Sequence, residues 1–113
     1  MTTKEMAQAV IDAVSACEEL KTAAKNYIDA IGTEAETEAG RMLVDEAEED
    51  ISSIDNTIAF FESDMAKQIF GDEVAAQKLA HAKEIKANGA VYCDCPGCSA
   101  ALAIINNKNS FVA

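Results

Sequence analysis

Three cysteines fall within six residues of one another, Cys93, Cys95 and Cys98, in the run V-Y-C-D-C-P-G-C-S, and a fourth, Cys17, lies far upstream. Three thiols in one turn make a chelating loop, a redox centre or a disulfide knot. Counted with Cys17 they form a three-plus-one set of soft ligands, the donor set of a tetrahedral Zn²⁺ site or an iron centre. The spacing C-x-C-x-x-C is tight, and it suits a turn that runs directly into a helix.

That helix is announced by the chain's one proline, Pro96. Proline is at home in the first helical position, where its missing N–H costs nothing. Cys95 then becomes the N-cap, Cys98 falls in the first turn, and Cys93 approaches from the loop. Sulfurs placed there face the positive end of the helix dipole and its free N–H groups, which favours thiolate. Cys17 would open an earlier helix beside Ser15, so two helix N-termini could converge on one site. The expected ligand set is Cys17, Cys93, Cys95 and Cys98. The expected cofactor is zinc, with iron as the alternative, in a structural site that ties the last helix to the start of the second.

Other chemistries compete. Cys95-Pro96-Gly97-Cys98 is a C-x-x-C at a helix N-terminus and is locally similar to glutaredoxin-like and thioredoxin-like active sites. Those follow a strand of a βαβ unit, and this chain offers no such strand. All-helical disulfide reductases of the peroxidase-reducing type share only the C-x-x-C, with their histidine downstream. Here the lone His81 lies upstream. A thiol-dependent redox protein or metal scavenger using Cys95 and Cys98 is therefore the second reading. Cys17 alone could be a small buried apolar residue, leaving His81 to complete a Cys₃His site, although a half-buried or surface histidine is the plainer account. Tyr92 is read as core, or as a shield over the sulfurs. The acids Asp45, Glu46, Glu48, Glu49 and Asp50 lie beside an apolar stripe and not on it. They lack the Glu-x-x-His pattern of di-metal bundles, so they read as a solvated face. No phosphate-binding loop, nucleophile elbow or Ser-His-Asp arrangement is visible, and one histidine leaves little for acid–base catalysis.

The elements that must position these residues are helical. Apolar spacing follows the helical period throughout, and almost nothing alternates with a period of two. The expectation is an all-α single domain over residues 1–113, a bundle of five to six helices with short connections and a cysteine cluster at its C-terminal end. Helix one spans about Lys4 to Val14 with Met6, Val10 and Val14 on one stripe. Ser15 and Glu18 have capping-box spacing for helix two, which runs to Ile31. Gly32 ends it, and Thr33 with Glu36 starts the third. Leu43, Ala47, Ile51, Ile54, Ile58, Phe61 and Met65 keep phase across Ser52-Ser53, so one long helix to about Glu62 is expected. A short turn from Met65 to Phe70 follows, then a helix capped by Asp72 with Ala75, Leu79, Ala82 and Ile85 inward. Asn88-Gly89 stops it. The last helix spans Pro96 to about Asn106.

Twenty-two of the 113 residues are alanine, against four Phe, two Tyr and no Trp, which implies a thin core between closely packed helices. The formal charge of −11 disfavours nucleic acid and anionic membrane surfaces, whose binding depends on Lys and Arg. Basic proteins and cations are the favoured partners, and a dimerising stripe would make a homodimer. The N-terminal residues lack the continuous apolar stretch of a signal peptide, and no apolar run approaches the ~18 residues of a membrane span. The expected compartment is the cytoplasm, where thiols stay reduced.

The runs A-A-K-N-Y-I-D-A-I-G-T, D-N-T-I-A-F-F and A-H-A-K-E-I-K-A-N-G-A-V-Y-C-D-C-P-G-C resemble a set of short proteins of anaerobic Firmicutes, and the resemblance extends over most of the chain. Some of those carry a heat-shock or ninety-kilodalton-chaperone label, but nothing here resembles that chaperone's nucleotide-binding domain. Their shared C-D-C-P-x-C block and upstream cysteine imply a site of Cys17, Cys93, Cys95 and Cys98, and imply no activity. The functional expectation is a small metal-binding helical protein that acts as an interaction module, with a thiol-dependent redox protein or metal scavenger using Cys95 and Cys98 as the alternative.

Overall fold

The computed structural model describes residues 1–112. They form eight helices and no strand: α1 Thr3–Asp12, α2 Glu18–Ala30, α3 Glu36–Asp50, α4 Ile54–Phe61, α5 Asp64–Phe70, α6 Asp72–Ala87, α7 Pro96–Asn106 and α8 Lys108–Val112. The all-α class is as expected. The count of five to six helices is corrected to eight, because the expected long helix is divided, the expected turn at Met65–Phe70 is itself a helix, and a short helix follows Asn106.

The chain falls into two compact units, Ser52–Cys93 and the remainder on either side of it. In the larger unit α2 packs against α1 and α3, while α7 packs against α1 and α3 and α8 lies on α3. Its core is built on Val10, Leu20, Tyr27, Leu43, Val44 and Ile104. Tyr27 is 2% exposed, its ring stands 5.0 Å from that of Phe111, and its hydroxyl donates to Thr3 Oγ1 at 2.8 Å. Among the described residues, ten of the nineteen buried apolar side chains are alanine, so the backbones must come close to exclude water. Gly40 shows how close. A β-carbon there would lie 2.1 Å from the Phe111 carbonyl oxygen, so α8 could not rest on α3 over any other residue.

The local starts and stops follow the side chains. Thr2 and Glu5 form a reciprocal capping box on α1. The chain turns at Ala13, which leaves Val14 off the expected stripe and 93% exposed. Ser15 does not cap α2; Cys17 does, without a side-chain cap bond. Thr33 and Glu36 close the turn before α3 instead of capping it. Thr33 Oγ1 bonds the Ala30 carbonyl and the Ala35 N–H, and Glu36 Oε1 accepts from the Gly32 N–H at 2.7 Å.

The smaller unit holds α4, α5 and α6. The expected helix through Ser52-Ser53 breaks because another segment bids for the same backbone groups. The Ser52 carbonyl accepts from the Cys93 N–H at 3.0 Å, and the Ile54 N–H donates to the Val91 carbonyl at 2.8 Å, which makes an isolated antiparallel bridge between Ser53 and Tyr92. Ser53 Oγ then caps α4 by accepting from the Asn56 N–H at 3.1 Å. Ser63 caps α5 in the same way, and Gly71 closes α5 and opens α6. Ile54, Thr57, Ala66, Ala75 and Ala82 are buried here, beside a cluster of Phe60, Phe61 and Phe70 rings. Met65, placed on the inward stripe by sequence, is 61% exposed. Among the described residues, no helix is long and apolar enough to cross a membrane.

Candidate metal centre

The segment Val91–Cys98 is pinned at several points. Cys93 is held through its N–H on the Ser52 carbonyl, as above. Cys95 is the N-cap of α7, with extended φ −61° and ψ 160°, and Pro96 takes the first helical position as the sequence indicated. The Cys95 carbonyl accepts the first intrahelical bond, from the Ser99 N–H at 2.8 Å. Its sulfur accepts from the Cys98 N–H at 3.4 Å, so sulfur does the work an N-cap oxygen usually does. Ser99 Oγ donates back to the Asp94 carbonyl at 3.0 Å, which fixes the residue between the first two cysteines.

These constraints gather Cys93, Cys95 and Cys98 so that their sulfurs all lie within 4.8 Å of one another. None of the four cysteines is joined in a disulfide. The three of the loop are partly buried, Cys98 the deepest of them. Cys95 and Cys98 lie at the positive end of the α7 dipole, in a first turn that carries no acid. Among the described residues this is the one group of three or more Cys, His, Asp or Glu donors that meets at such range, and the donors are all sulfur. Such a set prefers zinc, copper(I) or iron to magnesium or calcium.

Cys17 is placed differently. It is exposed at the N-cap of α2, and its thiol donates to Asp50 Oδ2 at 3.0 Å. Its pKa is pushed up to about 11, first by partial burial of the sulfur and then by the Asp50 carboxylate, with the Leu20 backbone N–H pulling the other way. In that position it is a protonated donor. The Glu46 carboxyl is also raised, by burial and then by Asp50, Glu49 and Glu19. Asp45, Glu48 and Glu49 are exposed, in keeping with a solvated face. His81 is exposed on α6 and is not one of the clustered donors. Tyr92 is half-buried and supplies the backbone bridge to Ser53.

The two helix N-termini, expected to converge on one site through Cys17, do not do so there: Cys17 is not one of the clustered donors, and the segment before α2 instead meets the start of α7 at Ser15. Its Oγ accepts from the Gly97 N–H at 2.7 Å, and the Ser15–Ala16 backbone lies against Gly97. Sequence reasoning missed Ser15 in this role, as well as Asp50 beside Cys17 and Ser52 beneath Cys93. Separations of 82, 33 and about 41 residues leave no periodic signal to read.

Comparison of the chain with family models, with curated proteins and with solved structures found no match.

Proposed function

We propose that this is a small metal-binding protein in which Cys93, Cys95 and Cys98, as thiolates, hold a Zn²⁺ ion, with iron as the second candidate. The observation that carries the reading is the convergence of three sulfurs within 4.8 Å on a loop whose backbone is fixed at Ser52, Gly97 and Ser99. A dithiol redox centre would need two sulfurs, and this arrangement supplies a third at the same range. Zinc is favoured because it has no redox chemistry and accepts thiolates in tetrahedral geometry without demanding a cluster. Binding requires loss of the thiol protons, so it stabilises the folded loop and becomes stronger as pH rises. The biological role that fits is that of an interaction module whose loop conformation the metal maintains.

Metal analysis by mass spectrometry on untagged protein, paired with a count of free thiols, tests this. About one zinc per chain is expected, with slow alkylation of the three loop thiols until a chelator is added. Metal-free, fully folded protein whose thiols alkylate at once and which forms a Cys95–Cys98 disulfide that turns over with a dithiol would establish the redox reading instead.

A further inference from the structure

Resting on the metal reading above, we propose that the site offers three thiolates and takes its fourth ligand from outside the chain, as an incoming thiolate, so that it passes or receives metal by ligand exchange. Zinc in an all-sulfur site is satisfied by four donors. The three that converge come from one six-residue segment, which leaves one of the four positions of a zinc ion to be filled. Cys93 and Cys95 are half-buried, so each keeps part of its surface in contact with solvent.

The chain's own candidates for the fourth position are committed elsewhere. The Cys17 thiol bonds Asp50 Oδ2 at 3.0 Å, and the residues just before it are held by the Gly97 N–H bond to Ser15 and by backbone contact that leaves no room for a methyl group. His81 stands exposed on α6, and among the described residues no carboxylate joins the three sulfurs at 4.8 Å. A three-thiolate centre is the arrangement from which exchange proceeds. An incoming thiol loses its proton to solvent, its sulfur bonds the Zn²⁺, and a bound water leaves. The ion stays divalent and no electrons are transferred. Handover is complete only when further acceptor thiolates have replaced Cys93, Cys95 and Cys98 in turn, one Zn–S bond forming for each that breaks and each released loop sulfur taking a proton from solvent. The external thiol is either a small molecule or a cysteine of another protein, and both present the same donor.

Cobalt(II) serves as the probe, on the full chain, with circular dichroism to confirm that each variant is folded. Sulfur-to-cobalt charge-transfer absorption counts thiolates. Addition of glutathione, or of a short reduced cysteine-containing peptide, should raise that absorption by roughly one third, as three sulfurs become four. Cys17→Ser should show the same starting spectrum and the same rise. A response to both probes identifies any accessible thiol as sufficient, and a response to the peptide alone identifies a protein cysteine. A starting spectrum that ignores both probes and falls by about a quarter in Cys17→Ser marks a closed four-thiolate site. That result overturns this inference while the metal reading stands. Absence of cobalt and zinc binding by the reduced protein removes the metal reading itself, and this one with it.

Discussion

Gly97→Ala tests the contact that positions the sulfurs. Gly97 is buried in the first turn of α7, between Cys95 and Cys98. A β-carbon there would stand 2.7 Å from the Ala16 nitrogen, 2.8 Å from the Ser15 carbonyl carbon and 2.9 Å from the Ala16 α-carbon. All three are backbone atoms, so no rotamer change relieves the overlap, and α7 must move away from Ser15–Ala16. That movement stretches the 2.7 Å bond from the Gly97 N–H to Ser15 Oγ. Two effects compete in sign. Helix propensity alone favours alanine by up to ~1 kcal/mol, and by less in a first turn. Overpacking against rigid neighbours costs about 1–3 kcal/mol, and the weakened hydrogen bond about 1 kcal/mol more. The packing terms win, so a net loss of roughly 1–3 kcal/mol is expected, or a fall in Tm of about 5–15 °C. Urea and thermal unfolding followed by far-ultraviolet circular dichroism measure it. Ser15→Ala is the companion variant, because it removes the hydrogen bond without the overlap and should cost only about 0.5–1.5 kcal/mol. Since Cys95 and Cys98 flank the displaced residue, zinc affinity should fall in Gly97→Ala as well. A Gly97→Ala protein as stable as the parent, with unchanged zinc affinity, would show that this contact does not hold the loop.

Replacing any one of Cys93, Cys95 or Cys98 by Ser should reduce bound zinc from about one per chain to well below that in competition with a chelator, because each removes one of three converging thiolates; equal retention in all three would sink the site. Cys17 should alkylate slowly in the folded protein. With its pKa at about 11 instead of 9.0, roughly 100-fold fewer molecules carry thiolate near pH 8, and solvent screening at an exposed sulfur trims this towards 10-fold. Asp50→Asn should speed that reaction, and no change in rate would show that the carboxylate does not hold the thiol. The same raised pKa sets the sign of a stability effect. Cys17's contribution is complete below about pH 9 and is lost as pH rises towards 11, where the unfolded chain has ionised first, so unfolding should become easier over that window and not in Cys17→Ala. Ser53→Ala removes the α4 cap and should cost about 1 kcal/mol in urea unfolding, most visibly as faster hydrogen exchange at the Asn56 amide.

Local rules in the sequence were enough to determine the start of α7, its Cys95 cap and the loop that brings three sulfurs to it. Proline's fixed φ and missing N–H act on adjacent residues, so Pro96 announces the helix whatever packs on it. The all-helical class was legible for the same kind of reason, since every apolar spacing follows one period. The division of the expected long helix was not legible. The apolar stripe keeps phase through Ile51, Ser52, Ser53 and Ile54, and phase says nothing about which partner the backbone takes. Only tertiary structure brings Val91 and Cys93 beside Ser52 and Ile54, where cross-chain hydrogen bonds replace helical ones. Cys17 shows the same limit. Its type marks it as a ligand, but whether its sulfur meets three thiols or one carboxylate depends on where α3 carries Asp50, a residue 33 positions away. Gly97 and Gly40 could be read as weak helix formers, yet their use lies in the backbone of Ser15–Ala16 and of Phe111 against them. Caps and turns are fixed by a few neighbouring residues, whereas close approaches between distant segments depend on how all the helices share their small core.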